Sequence, residues 1–299
     1  LVRWPRTPVG ALDLDRAPLR LQAIVNRVDL RDLARHSAGE GRFVFAFDIP
    51  AAFSLILEYN LPAEADSDVL GWARAWHALS LYPFGSDGYR AALEAVTRRF
   101  TERGASPGSP NGSALFRLRT NEVALAPRGD GRWELRQFEL SPETGFFVEA
   151  PVSETPDRSL NGSSAFADFV NQNQEAIRAA IPGSSLGIVP ASFEGRPFLA
   201  GSAINDLPVG VAWNGPGLDP ITRFHASINT CNGCHGFDTQ SVFFQIRPRM
   251  AGTEASLSPF LLGVTIFEPG GPFVLNDLGR RKDDLRGLVC DAGVVASCR

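Results

Sequence analysis

The sequence predicts an α+β fold, strand-rich in its N-terminal and middle parts and mainly helical in its C-terminal part. Three observations predict it. Runs of β-branched and aromatic residues cluster before residue 60 and again between residues 114 and 150. Two stretches of helical apolar spacing lie between those clusters. From Ile221 onward the chain reads as helix around one short motif.

Residues 19–28 (LRLQAIVNRV) and 42–49 (RFVFAFDI) predict strands, and 53–59 (FSLILEY) predicts a third beside them. Over residues 67–81, Val69, Leu70, Trp72, Ala73, Trp76, His77 and Leu81 recur at helical spacing, with Asp68 or Ser67 as the expected N-cap. Residues 87–103 (DGYRAALEAVTRRFTER) give the clearest helix, stopped by Gly104. The loop 104–112 (GASPGSPNG) is the first expected boundary. Beyond it, 114–123, 133–140 and 145–150 predict an antiparallel meander, turned at 128–131 (RGDG) and 142–145 (PETG). Residues 163–181 predict a second long helix, ended by Pro182-Gly183, and 182–220 read as irregular. Residues 221–230 (ITRFHASINT) predict a helix with Phe224 and Ile228 on one face, and 275–288 predict the last helix. The expected parts are therefore 1–104 (α+β), 105–220 (β-meander plus helix) and 221–299 (helical), which can also form one domain.

With 299 residues, 21 Phe and 5 Trp, the chain has ample apolar material for a core, which excludes a disordered protein. No run reaches the roughly 18–20 apolar residues of a membrane-spanning helix. A net charge of −4 gives nucleic acid no electrostatic footprint at the level of the whole chain. Lys282 is the one lysine among 29 basic residues, the codon bias of a GC-rich bacterial genome. The sequence opens on Leu1 without an apolar signal core over residues 1–20; either a targeting segment has been removed or the sequence starts inside a longer chain. The four cysteines, Cys231, Cys234, Cys290 and Cys298, fall in two close pairs, which fits an oxidising compartment.

Cys231-Asn-Gly-Cys234-His235 spells C-x-x-C-H, the attachment signature of a c-type haem. Two thiols three positions apart can reach the two vinyl groups on one porphyrin edge. The next histidine then supplies the proximal imidazole to the iron. Gly233 is expected to let the macrocycle approach the backbone. The same spacing serves redox disulfides, structural disulfides and zinc. The redox use wants a βαβ context that is missing here. Zinc wants a second ligand pair, for which Cys290 and Cys298 have an unusual spacing.

Residues 228–236 (INTCNGCHG), Pro248-Arg249 and 256–263 (SLSPFLLG) resemble a group of uncharacterised secreted bacterial proteins with a single C-x-x-C-H. The runs 24–30 (IVNRVDL) and 38–45 (AGEGRFVF) are similar to the same group. The resemblance implies secretion and brings no activity or fold. The chain does not resemble small soluble cytochromes c, which are far shorter and carry the motif near the N-terminus.

Met250, the one methionine, closes the run 246–250 (IRPRM) and is the expected sixth ligand of a His235/Met250 iron. His225 shares the helix that enters the motif and is poorly placed to reach the opposite haem face. His77 is a second candidate, and His36 sits in a polar loop. Cys290 and Cys298 are expected to pair as a short-loop disulfide. Residues 183–187 (GSSLG) match G-x-S-x-G around Ser185 but lack the strand before and helix after that a nucleophile elbow needs. Asn111 and Asn161 match glycosylation sequons and read equally as Asn-Gly turns. The run 280–285 (RRKDDL) reads as a solvated helix face.

The functional expectation is a secreted or periplasmic bacterial protein with one haem c, passing single electrons to a redox partner protein. The alternative is an extracellular structural or assembly protein in which Cys231–Cys234 is a disulfide. An enzymatic variant, a haem peroxidase or oxygenase, would leave the sixth position open.

Overall fold

A computed structural model describes residues 4–47, 53–123, 132–182, 187–206, 213–241, 243–250, 252–268 and 270–290. Its framework is a mixed α+β arrangement on one antiparallel sheet. Strands β1 (Leu19–Arg27), β2 (Ser37–Phe47) and β3 (Phe53–Pro62) come first. Helices α1 (Asp66–His77) and α2 (Asp87–Thr101) follow, and then β4 (Leu115–Val123), β5 (Arg132–Leu140) and β6 (Phe147–Ala150). The strand order is β1-β2-β3-β4-β5-β6. Strands β3 and β4 pair from Phe53↔Glu122 to Tyr59↔Leu115, so the sheet runs through the stretches on either side of residue 104.

Two helices, α3 (Ser164–Gln172) and α4 (Gln174–Ala179), stand where one was expected. The break is at Asn173, whose side-chain amide donates to Phe169 O at 2.8 Å. That bond offers the backbone an alternative to continued helix. A small hairpin, β7 (Ser192–Phe193) with β8 (Arg196–Pro197), precedes β9 (Ser202–Asp206). Strand β9 pairs with the first half of β5, along the edge whose second half pairs with β6.

The C-terminal part contains α5 (Pro220–Ile228), the short α6 (Cys231–Cys234), α7 (Pro259–Leu262), strands β10 (Val264–Glu268) and β11 (Gly271–Leu275), and α8 (Asp277–Cys290). The β10–β11 hairpin corrects the expectation of helix there. Its alternation is hard to read because the outward positions are themselves apolar, with Phe267 83% and Val274 66% exposed.

Alternation divides the sheet into two faces. One face packs Ile24, Phe43 and Tyr59 against Trp72 and Trp76 of α1 and Phe100 of α2. Phe100 is completely buried, with its ring centroid 5.5 Å from Tyr59 and 6.1 Å from both Phe43 and Trp72. It sits over Gly41, where a Cβ would lie 2.5 Å from its ring. The start of α1 also differs from expectation. Ala65 is the N-cap, and Asp68 sits three residues inside, accepting the backbone N–H groups of Glu64 and Ala65. The opposite face of the sheet looks toward α6.

Candidate functional site

The motif is held by its neighbours before any ligand is considered. Asp219 caps α5 by accepting Thr222 N at 2.8 Å, and Pro220 occupies the first turn, where its missing N–H costs nothing. Phe224 and Ile228 are buried on one face of α5, as expected. Thr230 caps α6 by accepting Gly233 N at 3.1 Å. Gly233 is required by α5 and not by an approaching macrocycle, because a Cβ there would lie 2.0 Å from Ser227 O. Two buried asparagines tie the motif to β9. Asn205 donates to Asn232 O and His235 O, and Asn232 donates to Ile204 O at 2.7 Å.

The His235 ring stacks on Trp133 of β5, with centroids 4.9 Å apart and planes at 21°. Its Nδ1 lies 2.7 Å from Phe243 O. A carbonyl only accepts, so Nδ1 carries the proton and Nε2 is the basic nitrogen. Burial pushes the His235 pKa down to about 4, against the Phe243 bond and with help from the Arg119 charge. The ring is therefore a neutral imidazole at neutral pH, the form that ligates metals. Phe243 presents its carbonyl from a left-handed backbone, φ 62°, a strained conformation for a bulky residue.

Cys231 and Cys234 are both free. Cys231 Sγ faces Ser153 O at 3.6 Å, and Cys234 Sγ faces Gln245 Nε2 at 3.5 Å. Burial raises both thiol pKa values, so neither is a reactive thiolate. The expected alternative of a Cys231–Cys234 disulfide is corrected by this arrangement, in which each sulfur has its own polar neighbour.

Cys231, Cys234 and His235 line one cavity between α6 and the second face of the sheet. Its volume in this structure is about 160 Å³, below the range of roughly 300–1,000 Å³ for small-molecule and cofactor sites. The sheet contributes charge to its wall: Arg27 and Arg42 from β1 and β2, Glu58 from β3 and Arg119 from β4. Glu58 is completely buried and shared by Arg42 (3.4 Å), Arg117 (3.5 Å) and Arg119 (3.8 Å). Burial alone would raise the Glu58 pKa, but Arg119, Arg42 and Arg117 together hold it below the usual carboxylate range. Sequence reasoning missed this group. The available signal was charge at every second position on strands, as at Glu40 and Arg42 or Arg117 and Arg119.

Met250 is 80% exposed and lies outside the cavity wall, which corrects its expected role as partner to His235. The chain turns there at the surface, with Thr253 N donating to Met250 O at 3.2 Å. His77 ends α1, which packs on the other face of the sheet. His225 packs beside Phe273 with centroids 5.1 Å apart, and His36 meets Glu64 at 2.7 Å. Cys290 is disulfide-bonded and offers no thiolate for zinc; Cys298, its expected partner, lies outside the described residues, as does Ser185. No group of three His, Cys, Asp or Glu side chains suited to a metal ion occurs among the described residues. Asn111 closes an Asn-Gly turn by accepting Ser113 N at 3.0 Å.

No family model, curated protein or solved structure matches this chain.

Proposed function

We propose that the cavity holds one haem c, tied by thioethers from Cys231 and Cys234 and ligated by His235 Nε2, in a bacterial protein that works in the periplasm or outside the cell. One observation carries the reading. Two free thiols and a neutral imidazole line the same cavity, and the imidazole's second nitrogen is already committed to a backbone carbonyl. That second bond is the usual means of orienting a metal-ligating histidine. When bound, such a group supplies one-electron chemistry.

The donor set of this chain fits that group, and the cavity, about 160 Å³ in this structure, has to open to admit a macrocycle. Trp133 fixes the plane of the imidazole, and Phe243 fixes its tautomer. Buried arginines face the cavity, and Arg119 Nε, Arg119 Nη2 and Arg281 Nε have no hydrogen-bond partner. Orphaned guanidinium nitrogens suit a ligand that brings carboxylates. The segments behind the sequence resemblance also meet here. Val25 and Arg27, Arg42 and Val44, Cys231, Cys234 and His235, and Phe260 with Leu261 all belong to the cavity wall. The disulfide at Cys290 agrees with an oxidising compartment.

Single-electron exchange with a partner protein is the first reading of the activity. A second reading, small-ligand chemistry at an open sixth position, is favoured by the donor census. The described cavity wall contains no methionine, no lysine and no histidine besides His235. Protein exported through a cytochrome c maturation system should give a pyridine haemochrome of the c type and an intact mass one haem above the chain. Colourless protein of bare-chain mass from the same system refutes the proposal. A high-spin ferric spectrum favours the second reading over the first.

A further inference from the structure

The arginines around the cavity differ in one respect. Arg27 makes a two-point bond to Asp29 at 3.0 and 3.1 Å. Arg42 bonds Glu40 at 2.7 Å, Arg117 bonds Glu139 at 3.2 Å, and Arg281 pairs with Asp277. Arg119 makes no side-chain hydrogen bond among the described residues. Its nearest carboxylate is Glu58 at 3.8 Å, beyond bonding distance and shared with two other arginines. Arg119 is nonetheless 91% buried, being 9% exposed, and both Nε and Nη2 are orphaned. A buried guanidinium without hydrogen bonds is costly to hold, because it has lost water and gained only a long ion pair in return. The neighbouring Glu154 does not serve it. The Glu154 carboxylate is occupied by the backbone N–H groups of Gly187, Ile188 and Val189.

We infer that Arg119 is the seat of an anionic group, a carboxylate or a small oxyanion, taken into the cavity beside Cys231 and His235. A guanidinium presents paired N–H donors in a fork that matches two oxygens of such a group. Two sources share this chemistry: a carboxylate of the macrocycle itself, or a free anion that enters the cavity. The inference rests on the cavity and on a buried guanidinium that makes no hydrogen bond, and the first source alone depends on the haem reading.

Two sets of titrations test the seat, using the full-length chain expressed without haem attachment. Intrinsic tryptophan fluorescence serves as the reporter, and circular dichroism establishes that each variant is folded. Protoporphyrin IX is compared with its dimethyl ester, and nitrite and acetate are titrated separately. Binding of the free acid at least tenfold tighter than the ester, with the preference lost in Arg119→Gln and partly kept in Arg119→Lys, assigns the seat to the macrocycle carboxylate. Nitrite or acetate binding that Arg119→Gln abolishes, with acid and ester alike, assigns it to a free anion. Neither dependence on Arg119 in folded protein overturns the inference, even if the haemochrome assay is positive.

Discussion

Ile24, Phe43, Leu57, Leu118 and Phe138 stand opposite one another across five strands of the sheet. One residue out of step, the row reads Val25, Arg42, Glu58, Arg117 and Glu139. Ile24 and Phe43 of the first row pack against Trp72, Trp76 and Phe100 of α1 and α2. Val25, Arg42 and Glu58 of the second line the cavity beside the C-x-x-C-H segment. Both rows obey the same two-residue period. The helix-covered face is held by apolar area removed from water. The cavity face is held by opposed charges at successive strands, and the weight of each Coulomb term depends on what fills the cavity. A protein that needed only stability would close both faces with apolar side chains, since buried ion rows seldom outperform hydrophobic packing.

The largest expected loss on the helix-covered face is Phe100→Ala, about 3–5 kcal/mol in a denaturant melt, since a fully buried ring leaves a cavity behind. That loss should be the same at pH 7 and pH 4. The cavity face should behave differently. Glu58→Gln removes the carboxylate shared by three arginines and is expected to cost roughly 3–5 kcal/mol at pH 7, the cost of breaking a buried pair from one side. The folded pKa of Glu58 lies below its ordinary 4.5, so its stabilisation is complete above that value and is lost as pH falls toward the folded pKa. The Glu58→Gln difference should therefore shrink on acidification. Equal pH dependence for the two variants would break the contrast between the faces.

A smaller effect is expected in the motif itself. Gly233→Ala places a methyl carbon 2.0 Å from Ser227 O, and the forced shift between α5 and α6 should cost about 1–3 kcal/mol of stability with or without haem. A variant that melts normally but fails to attach haem would restore the view that Gly233 makes room for the macrocycle. The smallest effect is Met250→Ala. With its side chain exposed, stability should change by less than about 0.5 kcal/mol and the visible spectrum not at all. A shift in spin state would return Met250 to the iron.

Much of the frame was legible from the chain. The runs at 19–28, 42–49 and 53–59 correspond to the adjacent strands Leu19–Arg27, Ser37–Phe47 and Phe53–Pro62, and the meander from residue 114 appeared as three antiparallel partners; residues 48 and 49 and the expected turn at 128–131 lie outside the described residues. The period-two and period-3.6 patterns there are local, so a single sequence reveals them. The break at Asn173 escaped because it follows a side-chain-to-backbone bond, and the β10–β11 hairpin because its outward positions Phe267 and Val274 are apolar and blur the alternation.

At the site, sequence alone determined the chemistry carried by adjacent positions, Cys231, Cys234 and His235, because C-x-x-C-H is a spacing along the backbone. Everything contributed from elsewhere in the chain was decided by tertiary structure. Phe243 O and Trp133 meet His235 from a strained loop and from β5, and Asn205 meets the motif from β9. Met250 is near the motif in sequence and far from it in role, because the chain leaves the cavity wall after Ile246 and exposes Met250. Arg119 is more than a hundred residues away and faces the same cavity. Its lack of a hydrogen-bonding partner has no trace in the sequence, since which carboxylates come within bonding distance is set by strand register and by the close packing of the opposite face.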